Sequence, residues 1–86
     1  MSKTIVAYVL LTVETGKDRE ILGKIRELPL VKEAAITFGE WDIIVRTEVK
    51  DVEELNDLVV KIRKIPGVDR TYTIVCLLYT SPSPRD

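Results

Sequence analysis

Apolar residues along this chain switch between two spacings. From Thr4 to Val13 they run almost unbroken, with Val6, Tyr8 and Leu10 on one face and Ile5, Ala7, Val9 and Leu11 on the other, which reads as a strand rich in β-formers. From Lys17 to Leu28 the spacing lengthens: Ile21, Leu22, Ile25 and Leu28 make one helical stripe, and Pro29 ends it. A second strand follows over Val31–Phe38. Gly39-Glu40, with glycine first, has the composition of a two-residue type II′ hairpin turn leading into a third strand, Trp41–Glu48. Asp51 with Glu54 three positions on forms an N-cap and capping box for a second helix. Its stripe is Leu55, Leu58, Val59, Ile62 and Ile65, and Pro66-Gly67 stops it. A fourth strand covers Val68–Val75.

The pattern is a repeat. Ile25-Arg26-Glu27-Leu28-Pro29-Leu30-Val31 returns as Ile62-Arg63-Lys64-Ile65-Pro66-Gly67-Val68, a constant shift of 37 positions that also carries Ile21 and Leu22 onto Leu58 and Val59. Two β-α-β units give the order βαββαβ, so the expected class is α+β with a ferredoxin-like fold. That fold is a four-stranded antiparallel sheet with two helices on one face.

The first strand adds an expectation about assembly. A sheet covered by helices on one side only should show half-polar strands, yet this strand is apolar on both faces. Its second face needs a cover, most simply the sheet of another subunit. Size points the same way, because below about 70–80 residues one core rarely supplies more than roughly 3–5 kcal/mol. The chain is expected to dimerise through the sheet, with Val6, Tyr8 and Leu10 at the interface.

Composition narrows the partners. The 86 residues carry 13 basic and 14 acidic side chains, no His and a single Cys, which permits no internal disulfide. No basic cluster marks a nucleic-acid surface, so direct DNA binding is not expected. The longest apolar run, Ile5 to Leu11, is too short for a bilayer and lacks the flanks of a signal peptide. A cytoplasmic protein without membrane contact is the expectation.

Residues 76–86 stand apart. From Cys76 through Ser81-Pro82-Ser83-Pro84-Arg85-Asp86 they resemble, residue for residue, the in-frame translation of a transposon-type sequencing adapter. The alternative is a Ser/Pro-rich natural tail. The expected division is a native domain over 1–75 and an adapter-derived tail over 76–86, with Cys76 and Tyr79 given no functional weight.

Little in the chain supports catalysis. There is no His, no metal-ligand spacing and no glycine-rich phosphate loop, so no catalytic residue, metal or cofactor is assigned. The carboxylates Asp51, Glu53 and Glu54 sit in a helix's first turn, where they partner the dipole. RNA binding in this fold uses stacked aromatics on the central strands, and Tyr8 is nearly alone there.

Two motifs remain: Phe38-Gly39-Glu40-Trp41-Asp42 and Pro66-Gly67-Val68-Asp69-Arg70-Thr71-Tyr72-Thr73. At these residues the chain resembles the RAM domain, the effector-binding and oligomerisation domain of the leucine-responsive/AsnC (feast/famine) regulators. The resemblance covers Thr4 to Val75. It implies domains paired through their sheets, dimers that assemble further, and small effectors, usually amino acids, bound between dimers near the hairpin that joins the second and third strands. Carried over by position, the effector site would be Gly39, Glu40, Trp41 and Asp42, with Thr71 and Thr73 on the neighbouring strand. The family's N-terminal helix-turn-helix has no counterpart before the first strand, so the expectation is a stand-alone RAM domain acting with a full-length regulator of the same type.

Each of these residues also has a plainer reading. Gly39 can serve a turn needing positive φ. Asp42 can accept hydrogen bonds from an α-ammonium group or from the hairpin itself. Trp41 can wall a pocket or cover a subunit seam, and Thr71 and Thr73 can reflect strand propensity alone. Arg46 and Arg70 read as solvated or paired surface charges. The leading reading is an amino-acid-binding, non-enzymatic module in transcriptional regulation. The alternatives are an ACT-like sensor using Gly16 in the first strand–helix loop, a purely structural oligomer, and a small dimeric α+β-barrel enzyme, which would need a polar cleft between sheet and helices.

Overall fold

In the computed structural model, which describes residues 4–76, six elements follow the expected order. They are β1 (Ile5–Val13), α1 (Asp18–Arg26), β2 (Val31–Ile36), β3 (Ile43–Val49), α2 (Val52–Arg63) and β4 (Val68–Val75). The sheet order is β2-β3-β1-β4, antiparallel at every pairing. This is the α+β ferredoxin-like arrangement, with the first strand of each repeat in the centre and the second at an edge.

Both helices lie on one face because both stripes meet the same strand residues. Val9, Leu11, Ile43 and Val45 of the sheet pack with Ile21 and Ile25 of α1 and with Leu58 and Ile62 of α2. Ala7, Val49 and Leu55 close the far end. The repeat persists in the hydrogen bonds that leave each helix. Leu28 N donates to Ile25 O at 3.0 Å and Val31 N to Leu28 O at 3.1 Å, and Ile65 to Ile62 and Val68 to Ile65 reproduce them at 3.1 and 3.2 Å. The Asp51 cap of α2 forms, Asp51 Oδ1 accepting from Glu54 N at 2.8 Å, while Glu54 Oε1 reaches one residue past the N-cap to accept from Lys50 N at 2.8 Å.

The β2–β3 hairpin differs from expectation. β2 stops at Ile36 and β3 starts at Ile43, so Thr37–Asp42 form a loop in place of a two-residue Gly39-Glu40 turn. The cause lies outside the hairpin. Asp42 N donates to Leu11 O at 2.9 Å, and one Asp42 carboxylate oxygen, Oδ2, accepts from Val13 N at 2.9 Å, which draws the start of the third strand towards the end of β1. Cys76 continues the β1–β4 pairing, its N–H donating to Val6 O at 2.9 Å. The rest of the tail assigned to the adapter lies outside the described residues.

Candidate functional site

The Thr37–Asp42 loop is held at both ends. Thr37 N donates to Asp42 O at 2.9 Å, and the Thr37 hydroxyl donates to Trp41 O. Between these anchors Gly39 takes a φ of +149°, a conformation that side-chain-bearing residues rarely adopt. Phe38 beside it is fully exposed. Asp42 is thus a bracket between two strands, with one carboxylate oxygen committed to the backbone of β1.

Trp41 leaves the loop towards the face of the sheet opposite the helices. Its ring stacks on Tyr72 of β4, with centroids 6.0 Å apart and planes 23° from parallel, and the Arg70 guanidinium lies 5.5 Å from the Trp41 centroid. Aromatic stacking and a cation over an indole each favour a fixed ring orientation. Tyr72 pairs with Leu10, and Ile74 with Tyr8, so these side chains share the open face.

Thr71 and Thr73 are not part of this group. They pair with Leu11 and Val9, which face the helices, so the structure places them on the other side of β4 from Trp41. The expected site divides accordingly. Gly39, Glu40, Trp41 and Asp42 stay together in one loop, but β1 intervenes between β3 and β4, and the side chains that meet Trp41 are Tyr72 and Arg70. The signal that could have found them is the period-two alternation of β4, which sets residues 70, 72 and 74 on one face.

The open face has two halves. Around β1 and β4 it is aromatic and aliphatic: Leu10 is half-buried, while Tyr72 and Ile74 are exposed. Val6, expected at a subunit interface, is only 3% exposed, whereas Tyr8 and Leu10 remain half-buried. Around β2 and β3 the face is charged. Arg46 pairs with Glu48 at 2.9 Å, both partly exposed. Desolvation lowers the pKa of the Arg46 guanidinium, but Glu48 and a side-chain hydrogen bond with Tyr8 more than offset it and hold the group above its ordinary value. Among the described residues no group of His, Cys, Asp and Glu could hold a metal ion, and no helix is long and apolar enough to cross a membrane.

Residues 6–85 match the Lrp/AsnC ligand binding domain. The chain belongs to that family. The HTH-type transcriptional regulator FL11 of Pyrococcus horikoshii is 34% identical over 74 residues, 86% of this chain and 49% of the regulator. The crystal structure of TTHA0845 from Thermus thermophilus superimposes with a TM-score of 0.83 at 34% identity, over 94% of this chain and 99% of that one. A different kind of relative is the homocitrate synthase of Sulfurisphaera tokodaii, 39% identical over 57 residues that make up 66% of this chain and 12% of the enzyme.

The Lrp/AsnC chain therefore spans about half the length of the curated regulators it matches. These relatives are regulators of transcription rather than enzymes, and the domain shared with them is their ligand-binding part. The match to homocitrate synthase covers a small part of that protein, which is too little to carry the enzyme's activity over.

Proposed function

We propose that this Lrp/AsnC domain binds an amino acid between subunits and answers by changing its assembly. The observation that carries the reading is the Trp41 loop. A backbone bracket at Asp42 fixes it, Gly39 opens its tip, and an aromatic pair with an adjacent cation lies beside it, half open to a partner. Exposed amides around Gly39 and Glu40 suit a carboxylate. Asp42 Oδ1, the carboxylate oxygen that does not bond Val13, suits an α-ammonium group, and Trp41 suits an apolar side chain. Thr71 and Thr73 stand on the helix side of β4, and any part they take is indirect.

The subunit contact we assign to the open sheet face, with Tyr8 and Leu10 joined by Tyr72 and Ile74, and with Val6 already covered. Phe38, fully exposed at the loop tip, suits a second contact that would build dimers into larger assemblies. A full-length Lrp/AsnC regulator is the partner we propose beside the homo-oligomer, since this chain corresponds to one half of such a protein. Co-purification that recovers homo-oligomers alone counts against the mixed assembly.

A thermal-shift panel of the amino acids tests the central reading. Ligand that binds only the native state stabilises it by RT ln(1 + [L]/Kd), about 2.7 kcal/mol at a hundredfold excess over Kd. One or a few amino acids should raise Tm, and the rise, measured against each variant's own baseline, should vanish in Trp41→Ala. A flat panel from a folded dimeric sample would leave a structural oligomer as the function.

A further inference from the structure

The Trp41 loop lies away from a second concave region, a groove along the edge of the sheet. That groove encloses about 530 Å³ and runs along β2, lined by Arg26 of α1 as well as by Tyr8, Ile44 and Arg46 of the central strands. Since α1 covers one face of the sheet and Ile44 belongs to the other, the groove passes round the edge strand itself. Its apolar surfaces are Val31, Ala35 and Ile44. Three cationic side chains, Arg26, Lys32 and Arg46, face a single carboxylate, Glu33.

Two details make this more than a charged edge. The β2–β3 register slips between Val31 and Glu33, leaving Lys32 without a partner across the ladder. A bulge on an edge strand frees backbone groups and re-aims a side chain, which is why bulges gather beside binding sites. Arg26 is anchored as well: one guanidinium nitrogen, Nη2, donates to Ala34 O at 3.1 Å, which holds the side chain over the groove with its other N–H groups uncommitted to that bond. Arg46 is held by its ion pair with Glu48 at 2.9 Å. Arg26 and Arg46 are therefore positioned before any ligand arrives, which lowers the ordering cost of binding.

We propose that this groove binds a small organic acid with an apolar tail and no compensating ammonium group. The carboxylate sits among Lys32, Arg46 and the free edge of Arg26, and the tail lies on Ala35 and Ile44, which pair across the β2–β3 ladder. Even with Glu48 set against Arg46, the lining keeps an excess of positive charge, so an anion gains more than a zwitterion of the same skeleton. The site goes beyond the amino-acid reading of the Trp41 loop and stands or falls separately from it.

The test is an NMR titration of the ¹⁵N-labelled chain with 4-methylpentanoate, and in parallel with leucine, which has the same skeleton plus the ammonium group. The expected result is saturable shifts in the amides of Lys32–Ala35 and Ile44–Arg46, stronger for the acid than for leucine. Affinity should fall about tenfold in Lys32→Gln, the loss of one charge-assisted contact. Arg46→Met should weaken it comparably. Lys32 is exposed, so its variant keeps the fold and the test decisive. Shifts that fail to saturate, that survive both substitutions, or that are as strong for leucine overturn the proposal. Leucine shifts centred on Phe38–Asp42, with a silent groove, would overturn it too while upholding the Trp41 site.

Discussion

The two β-α-β units share a template but are secured differently. α1 and α2 end at equivalent residues, Arg26 and Arg63, and leave through the same pair of turn hydrogen bonds. Their starts diverge. α2 begins at Val52 under a side-chain cap from Asp51, whereas α1 begins at Asp18 behind Lys17, which offers no side-chain cap. The entry to α1 is held from the other unit: Glu14 N donates to Gly67 O at 2.8 Å, and a Cβ placed at Gly67 would stand 2.9 Å from Ile21 Cδ1 and 3.0 Å from Lys17 Cδ. One helix is started by its own sequence and the other by its neighbour's turn. The repeat sets a common frame, and a tertiary contact stands in for the local cap that α1 lacks.

The largest effects should show where the copies agree. Ile25 and Ile62 occupy equivalent places and are both fully buried in one cluster. Truncating either to Ala removes buried methyl groups and leaves a cavity, with an expected cost of about 2–5 kcal/mol. Urea denaturation should find the two losses within about 1 kcal/mol of each other. A much smaller loss at one site would mean that the cores of the units are unequal despite their matching pattern.

Gly67 is the next place to press. At φ +99° a side chain is strained whatever the space, and here the added carbon also meets α1. Gly67→Ala should cost about 1–3 kcal/mol. Hydrogen exchange should place the loss at the first turn of α1 as much as at the turn that carries the substitution. Faster exchange confined to residues 64–68 would break the claim that one unit starts the other's helix.

These differences also explain how far the sequence can be read. The helix stripes, their Pro stops and the Asp51 cap are local patterns, and all three appear in the fold. The two-residue Gly39-Glu40 turn does not form because the residue that decides it, Asp42, bonds to Leu11 and Val13, about thirty positions away and invisible to turn chemistry. Thr71 and Thr73 show a subtler limit. Val68 and Val75 both pack towards the helices although their positions differ in parity. A register shift opposite Thr12 and Val13 reconciles them, and a strand's facing cannot be counted across such a bulge from one end. The Tyr72 and Arg70 contacts with Trp41 follow from that phase. The β2 groove is hidden for the same reason, since its bulge at Lys32 leaves no mark in the spacing of apolar residues.

The cap on α2 should be worth less than either core or turn. Asp51 is exposed, and its one bond to Glu54 N satisfies a single first-turn amide. Asp51→Ala should lower stability by about 1 kcal/mol, read as a shift in urea midpoint with an unchanged m-value. Asp51→Ser should recover most of it, because a hydroxyl accepts the same bond. If Ser fails where Asp succeeds, charge at the helix start matters more than the hydrogen bond.

The smallest effect runs the other way. Gly23 lies in the interior of α1, is exposed, and has open space where a Cβ would go. Its equivalent in α2 is Val60, so this residue type is not demanded by the shared frame. A glycine in mid-helix loses more backbone freedom on folding than alanine does, and nothing here offsets that loss. Gly23→Ala should therefore stabilise the chain by about 0.5–1 kcal/mol, measurable as a rise in Tm and in urea midpoint. Made in the Gly67→Ala background, the same change sharpens the comparison. If α1 depends on the other unit's turn for its start, better intrinsic helicity should recover part of the lost protection in its first turn. Simple additivity, with first-turn exchange still fast, would mean that α1 needs the contact itself and that no gain in propensity can stand in for it.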